Sequence, residues 1–166
     1  MVALAFLLAS DGKNVALAQE VASTATAMGH EVDFVALNAY DFPIYTVQRE
    51  NATPSLAGLD ELMARLDAAD AWFLFAPEYN GSYPPVLNNT IAWLSREGDD
   101  FRRLFRDRTV ALATHSGGGG QHVIMAMRAQ LSFLGCNVIG RSLVTNRNKP
   151  ANPETVEAIL NSLTRT

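Results

Sequence analysis

Short apolar runs recur along this chain, and each is followed by a polar or glycine-rich turn. The runs are Val2 to Ala9, Glu31 to Leu37, Asp70 to Ala76 and Thr109 to Thr114, with a less regular run from Asn137 to Val144. Runs of this length without strict polar–apolar alternation are typical of strands that are buried on both faces. The pattern therefore predicts a parallel sheet that is covered on both sides.

Stretches with apolar residues at helical spacing separate these runs. They predict helices ending near Met28 and Gly29, from Leu56 through residue 68, over Val86 to Leu94, over Val123 to Leu134 and over Pro153 to Leu163. Glycine commonly ends a helix, and proline is tolerated in the first helical turn. The alternation of strand and helix predicts an α/β fold with right-handed crossovers and helices on both faces of the sheet.

The length of 166 residues predicts one domain over residues 1–166, because no linker, repeat or low-complexity tract interrupts the pattern. Residues 38–55 form the longest loop-like segment of the sequence. The residues alone fit a flexible lid, a partner contact or a plain surface excursion.

Charge and composition exclude several classes of function. The net charge of −4 argues against a nucleic-acid partner, since phosphates favour basic surfaces. The apolar run at the N-terminus is too short to cross a bilayer, which argues against a membrane partner. Cys136 is the single cysteine, so an intrachain disulfide is impossible, and a cytoplasmic location is expected. No histidine or cysteine spacing indicates a metal site.

Three loops that lead from a strand into a helix are expected at one edge of the sheet. They comprise Ser10 to Asn14 after the first strand, Ala76 to Asn89 after the third and His115 to Gly120 after the fourth. In an open parallel sheet, ligands bind beyond the carboxyl ends of the strands, where the connectivity reverses. The three loops are therefore the candidate ligand site.

The first of these loops has the composition of a phosphate site. Ser10, Lys13, Asn14 and the amide of Val15 precede or begin a helix, where unpaired N–H groups and the helix dipole favour an anion. A simple turn capped by Ser10 or Asp11 is the alternative. The loop matches neither the Walker motif nor the dinucleotide-binding motif.

The third loop contains glycines at every position from Gly117 to Gly120, flanked by His115 and His122. Such a run lets the backbone approach a flat ligand and point N–H groups at a carbonyl or an anion. A flexible surface loop is the alternative for the same residues.

The second loop is predicted to be rigid. Pro77 ends the strand, Asn80 and Gly81 favour a tight turn with positive φ, and Pro84 and Pro85 stiffen the start of the next helix. Rigid loops at a sheet edge are a usual location for binding chemistry.

The sequence from Pro77 to Asn89, followed by Ile91-Ala92-Trp93-Leu94-Ser95-Arg96, resembles the signature of NAD(P)H-dependent FMN reductases. This family belongs to the flavodoxin-like superfamily and includes quinone, chromate and azo-dye reductases. The resemblance implies a flavodoxin-like three-layer α/β/α sandwich with a five-stranded parallel sheet of order 2-1-3-4-5. It also implies bound FMN, NADPH or NADH as reductant, a small-molecule electron acceptor and a homodimer or homotetramer.

The resemblance also assigns the cofactor-binding residues, while the flavin itself carries the chemistry and no side chain is expected to be a catalytic acid. Pro77 to Asn80 would line the isoalloxazine ring, and the amides of Ser116 to Gly119 would stabilise negative charge at its pyrimidine edge. The complete expected set is Ser10, Lys13, Asn14, Val15, Pro77, Glu78, Tyr79, Asn80, Gly81, His115, Ser116, Gly117, Gly118 and Gly119.

Two alternatives of other classes fit the same fold. A flavodoxin-type electron carrier passes single electrons to protein partners, but such carriers are typically more acidic than a net charge of −4. A flavodoxin-like module with weak or lost FMN binding would act as a binding or regulatory domain. Turnover with NAD(P)H and a quinone distinguishes a reductase from a carrier, and FMN binding distinguishes both from the module.

The phosphate loop departs from the family pattern and predicts weak FMN retention. Family members commonly have an arginine and a second serine between the first serine and the asparagine, whereas only Asp11, Gly12 and Lys13 separate Ser10 from Asn14. Lys13 supplies a point charge without the planar fork of arginine. We expect protein purified without added flavin to be partly free of FMN in its visible absorbance spectrum. A full complement of tightly held FMN would contradict this expectation.

Overall fold

The computed structural model describes residues 1–96 and 99–165. Residues 97, 98 and 166 of the expected single domain lie outside the described residues. The strands are β1 (Ala3–Leu8), β2 (Glu31–Ala36), β3 (Ala71–Phe75), β4 (Thr109–His115), β5 (Asn137–Val138) and β6 (Leu143–Thr145). The helices are α1 (Lys13–Ala27), α2 (Val47–Ala52), α3 (Leu59–Ala68), α4 (Pro85–Leu94), α5 (Gln121–Leu134) and α6 (Pro153–Leu163).

The strands form one parallel sheet of order β2-β1-β3-β4-β5, which confirms the predicted flavodoxin-like topology. Side chains of β1 alternate between two apolar cores, because successive residues of a strand point to opposite faces. Leu4 and Phe6 pack with α1 and α6, whereas Ala5 and Leu7 pack with α3, α4 and α5. The sheet is therefore covered by helices on both faces.

The fifth position of the sheet is shared by two short strands rather than by one. β5 and β6 both pair with β4, and residues 139–142 between them leave the ladder. The guanidinium of Arg128 on α5 donates to the backbone oxygens of Val138, Ile139 and Gly140 and to the hydroxyl of Ser142. This side chain satisfies the carbonyls that a continuous strand would have used.

The segment between β2 and α3 contains helical structure that the sequence analysis missed. A 3₁₀ turn spans Leu37–Tyr40, and α2 begins after Thr46, whose hydroxyl accepts from the Arg49 amide. The segment is tied to α4, since Asn89 accepts from the Tyr45 amide at 2.7 Å and Trp93 Nε1 donates to Pro43 O at 2.8 Å.

Apolar residues at and after α4 pack inside the chain. Trp93, Leu94, Leu104 and Phe105 are buried within the chain, and Phe101 alone of this group is about half exposed. Cys136 is also buried, and burial raises the pKa of its thiol to about 12. The thiol is therefore protonated at neutral pH and serves as a packed apolar group.

Candidate functional site

Loops at the carboxyl ends of β1, β3 and β4 border an open cleft of about 480 Å³, called the three-loop cleft below. It lies at the point where the chain reverses its direction of travel across the sheet, since β2 and β3 flank β1 on opposite sides. Its volume is within the usual range of roughly 300–1,000 Å³ for small-molecule sites. The cleft is lined by Ser10, Asp11, Lys13, Asn14, Pro77, Tyr79, His115, Ser116, Gly117 and Arg147.

Most of the residues expected from the sequence line this cleft, and six of them do not. Those that do not line it are Val15, Glu78, Asn80, Gly81, Gly118 and Gly119. Two lining residues were not expected. Asp11 was considered only as a helix cap, and Arg147 lies on a turn after β6 that the sequence analysis did not connect with the site.

The first loop leaves the N-terminus of α1 without a side-chain cap among the described residues. The N-cap is Gly12 with φ of 78°, so the alternative in which Ser10 or Asp11 caps the helix is wrong. The carboxylate of Asp11 instead accepts from Asn38 Nδ2 at 3.2 Å. The Ser10 hydroxyl is buried and has no hydrogen-bond partner within residues 1–96 and 99–165. A buried hydroxyl without a partner is uncommon, and this one is available to a ligand at the site.

The first loop is joined to the third by a pair of reciprocal hydrogen bonds. Asn14 Oδ1 accepts from the His115 amide at 2.8 Å, and Asn14 Nδ2 donates to His115 O at 3.1 Å. The Asn14 side chain is 3% exposed, so little water competes for these bonds. Its amide group is thereby occupied by backbone, and its place in the cofactor-binding set stays a prediction.

The second loop has the tight turn that Asn80 and Gly81 predict. Tyr79 and Ser82 exchange both backbone hydrogen bonds, at 2.8 and 3.0 Å, around two residues with positive φ. Asn80 has φ of 52° and Gly81 has φ of 74°, the geometry of a two-residue turn that favours this dipeptide. The turn leaves Tyr79 half exposed at the mouth of the cleft.

Glu78 connects the second loop to the third. Its Oε2 accepts from the amide of Val123, in the first turn of α5, at 3.2 Å. The N-cap of α5 is Gly120, which has no side chain to satisfy that turn, so the carboxylate of Glu78 takes over the capping function. The structure thus gives Glu78 a positioning contact within its own chain.

The third loop has two of its amides committed to internal hydrogen bonds. The Ser116 amide donates to Thr145 O at 3.1 Å, and the Gly118 amide donates to Ser116 Oγ at 3.1 Å. For the amides of Gly117 and Gly119, no acceptor lies within the part of the chain that the structure describes. The expectation that Ser116 to Gly119 all offer amides to a ligand is therefore reduced to these two.

Glycine occupies different positions of this loop for different structural reasons. A Cβ built on Gly120 would lie 2.8 Å from Thr114 Cγ2 and 3.0 Å from Val144 Cγ1, and its φ is 70°. Glycine is therefore required there by packing and backbone conformation. A Cβ on Gly117 or Gly119 would meet nothing within 4 Å, so these positions border open space where a ligand can approach the backbone.

The His115 ring contacts the hydroxyl of Thr145, which in turn contacts the backbone oxygen of Thr114. Its Nδ1 lies 3.1 Å from Thr145 Oγ1, and that hydroxyl donates its single proton to Thr114 O at 3.1 Å. His115 Nδ1 must then be the donor to Thr145, which leaves Nε2 as the second polar position of the ring.

Tyr83 belongs to the second loop and is half-buried there. This burial raises the pKa of its phenol above the usual value.

Within the described residues, no group of three histidine, cysteine or carboxylate side chains is close enough to hold a metal ion. None of the helices that the structure describes has the length and apolarity needed to span a membrane.

Comparison with known proteins shows a family. A family model described as NADPH-dependent FMN reductase matches residues 2–150. The chain is 31% identical over 126 residues to a quinone reductase of Escherichia coli (strain K12), which covers 70% of this chain and 64% of that protein. It is 32% identical over 96 residues to an FMN-dependent NADH:quinone oxidoreductase of Shewanella loihica, which covers 51% of this chain and 49% of that protein. The matches thus span about half to 64% of the length of these curated relatives.

Solved structures with similar backbones support the fold. The flavoenzyme NAD(P)H:(acceptor) oxidoreductase FerB from Paracoccus denitrificans aligns with a TM-score of 0.77 at 19% identity, over 98% of this chain and 93% of that one. An oxidoreductase from Corynebacterium diphtheriae aligns with a TM-score of 0.77 at 16% identity, over 98% of this chain and 94% of that one. At such low identity the likeness shows the fold alone.

The link between the first and third loops predicts a stability effect. Replacing Asn14 with Ala leaves the amide and carbonyl of His115 without partners, so we expect the free energy of unfolding to fall by about 1–3 kcal/mol. Urea denaturation followed by circular dichroism measures it. The control is Asn88→Ala, which removes one exposed contact with Gln130 and is expected to cost less than about 0.5 kcal/mol. Equal effects of the two substitutions would contradict the structural role of Asn14.

Proposed function

Because the chain belongs to the NADPH-dependent FMN reductase family, we propose that it binds FMN in the three-loop cleft and reduces a small acceptor with NAD(P)H. The acceptor class is a quinone or a free flavin. The observation that carries the proposal is the convergence of an anion-suited helix N-terminus, the half-exposed Tyr79 and the unpaired amide of Gly117 on one cleft. No single one of these features would be sufficient, since each is common in proteins of other functions.

The residues of the cleft fit an FMN molecule. The buried Ser10 hydroxyl lacks a partner that a phosphate oxygen would supply, and the N-terminus of α1 is available to the same anion. Open space over Gly117 and Gly119 suits the close approach of a flat ring to the backbone. We propose that Ser10, Lys13 and Val15 hold the phosphate end of FMN together with the backbone of Asn14, whose side chain is engaged by His115.

The ring end of the cofactor would contact the second and third loops. We propose that Pro77 and Tyr79 border the ring, while Asn80 and Gly81 form the turn that fixes Tyr79. His115, Ser116 and the glycine backbone supply the opposite border. The further members of the set are Glu78, Gly117, Gly118 and Gly119, of which Glu78 and Gly118 act through their positioning hydrogen bonds.

Bound FMN supplies hydride acceptance from NAD(P)H and transfer of the reducing equivalents to the acceptor. The amides of Gly117 and Gly119 offer preorganised donors to negative charge on a ligand, and such donors need no reorganisation during the reaction. Glu78 is engaged with the Val123 amide at 3.2 Å and is therefore assigned to positioning rather than proton transfer. The protein thus contributes orientation and electrostatics.

We further propose a homodimer or homotetramer in the cytoplasm. An outward face of α5 carries Met125 and Phe133, which are 67% and 73% exposed, and Phe101 lies about half exposed after α4. Methionine and aromatic side chains are enriched at subunit contacts relative to the rest of the protein surface. The single, buried thiol of Cys136 is consistent with a reducing compartment.

A glycine substitution tests the location of the flavin. Gly117 and Gly140 are both exposed, neither has a positive φ, and a Cβ on either meets nothing within 4 Å, but only Gly117 lines the cleft. We expect Gly117→Leu to weaken FMN binding about tenfold or more, which is about 1.4 kcal/mol or more, and Gly140→Leu to leave it unchanged. Quenching of flavin fluorescence measures both constants, and circular dichroism checks the fold.

Reduction of the loaded protein tests the activity. Anaerobic addition of NADPH or NADH is expected to bleach the visible band of bound FMN, and a quinone is expected to restore it. Failure to bleach with FMN bound would contradict the reductase proposal. Retention of the electrons until a redox protein is added, with no turnover of a quinone, would indicate a carrier.

A further inference from the structure

Arg147 lines the three-loop cleft although it belongs to none of the three loops. We propose that its guanidinium binds the phosphate of FMN together with Lys13, in place of the arginine that is missing from the first loop. The inference rests on the proposed function, because it assigns a residue to the phosphate end of the same site. The chain would then have transferred the arginine's role to a different part of the sequence.

A tight turn holds Arg147 beside the first loop. Asn146 and Lys149 exchange backbone hydrogen bonds at 3.0 and 3.1 Å, which makes Arg147 and Asn148 the two residues at the tip. The Asn148 amide also donates to Asn146 Oδ1 at 2.9 Å. The turn directly follows β6, which pairs with β4 through Thr145 and His115, so its base is fixed to the sheet. The backbone that carries Arg147 is therefore well defined.

The charges around the tip favour an anion. Within residues 1–96 and 99–165, neither Lys13 nor Arg147 forms an ion pair with a carboxylate. Asp11 also lines the three-loop cleft, and its Oδ2 accepts a hydrogen bond from Asn38 Nδ2 at 3.2 Å. Glu20 borders a neighbouring cleft of about 560 Å³ that also includes Lys13, His115 and Arg147. Lys13 and Arg147 thus line both clefts, and neither has a carboxylate within ion-pair distance among residues 1–96 and 99–165.

Two surface cations alone do not make an anion-binding site. The first loop supplies a buried hydroxyl and uncapped helix amides in addition. Ser10 lines the cleft, is 9% exposed and presents a hydroxyl without a partner. The N-terminus of α1 adds amides that no described side chain caps. A guanidinium can donate two parallel hydrogen bonds to one phosphate, whereas an ammonium acts as a point charge. Arg147 would therefore supply the planar fork that Lys13 cannot provide, which would oppose the weak FMN retention expected from the first loop alone.

NADPH also carries phosphate groups, so the same cations suit two ligands of the reaction. We assign Arg147 to FMN because it lines the cleft that contains Ser10, Tyr79 and Gly117, the residues proposed to surround the flavin. A contact with the phosphate of FMN can be distinguished experimentally from a contact with the rest of the flavin. Riboflavin has the ring and the ribityl chain of FMN but lacks the phosphate, so a phosphate contact affects the two ligands differently.

The test compares FMN and riboflavin binding by fluorescence quenching in the wild type and in three variants. We expect Arg147→Gln to weaken FMN binding about 10- to 100-fold, since a charge-assisted bidentate contact is lost, and to change riboflavin binding less than about twofold. Arg147→Lys should give an intermediate loss for FMN. Lys149→Gln is the matched control, because it removes a cation from the same turn that does not line the cleft. It should leave both affinities unchanged.

Each other outcome overturns the inference in a distinguishable way. Equal losses for FMN and riboflavin would show that Arg147 only supports the shape of the site. An unchanged FMN affinity, with a raised KM for NADPH but not for NADH, would assign the guanidinium to the 2′-phosphate that NADPH has and NADH lacks. Equal effects of Arg147→Gln and Lys149→Gln would indicate general electrostatic attraction. Wild-type protein that binds neither flavin would overturn the proposed function as well.

Discussion

The candidate site depends on the two hydrogen bonds between the Asn14 side chain and the backbone of His115, at 2.8 and 3.1 Å. They join the start of α1 to the end of β4, which are 101 residues apart in the sequence. Because the amide is 3% exposed, its bonds are shielded from water and fix the distance between the two loops. Glu78 connects the second loop to the start of α5, which directly follows the third loop, because its carboxylate accepts a hydrogen bond from the Val123 amide at 3.2 Å. Residues predicted as ligand contacts thus also hold the cleft together.

This double use explains why the polar residues of the three loops divide into two groups. Asn14, Glu78 and the Ser116 hydroxyl are already paired with backbone groups of the chain. The Ser10 hydroxyl and the amides of Gly117 and Gly119 have no such partners among the described residues. A site that is rigid before its ligand arrives loses less conformational entropy on binding. The first group provides that rigidity, and the second is free to make the ligand contacts that we propose.

Sequence patterns predicted the elements that a single local rule determines. The buried strands β1, β3 and β4, the Asn80-Gly81 turn and the start of α6 at Pro153 were confirmed, because apolar runs and turn chemistry specify them, and the sheet order that the family resemblance implied was also confirmed. The prediction that the second strand is buried on both faces was wrong, because β2 is an edge strand of the sheet in which Val35 alone is buried. The split between β5 and β6 was missed, since it depends on Arg128 reaching across from α5. Arg147 was missed for the same physical reason: only the pairing of β6 with β4 brings its turn beside Lys13. Contacts between elements distant in the chain leave no local pattern to read.

We propose that the three loops form one flavin site with unpaired amides at Gly117 and Gly119. Titration of ¹⁵N-labelled protein with FMN, followed by amide chemical shifts, tests this proposal. We expect the largest shifts at Gly117 and Gly119, in the first turn of α1 from Lys13 to Val15, and at Arg147, with small shifts at β2 and α3. Shifts concentrated elsewhere on the molecule, or none at saturating FMN, would contradict it.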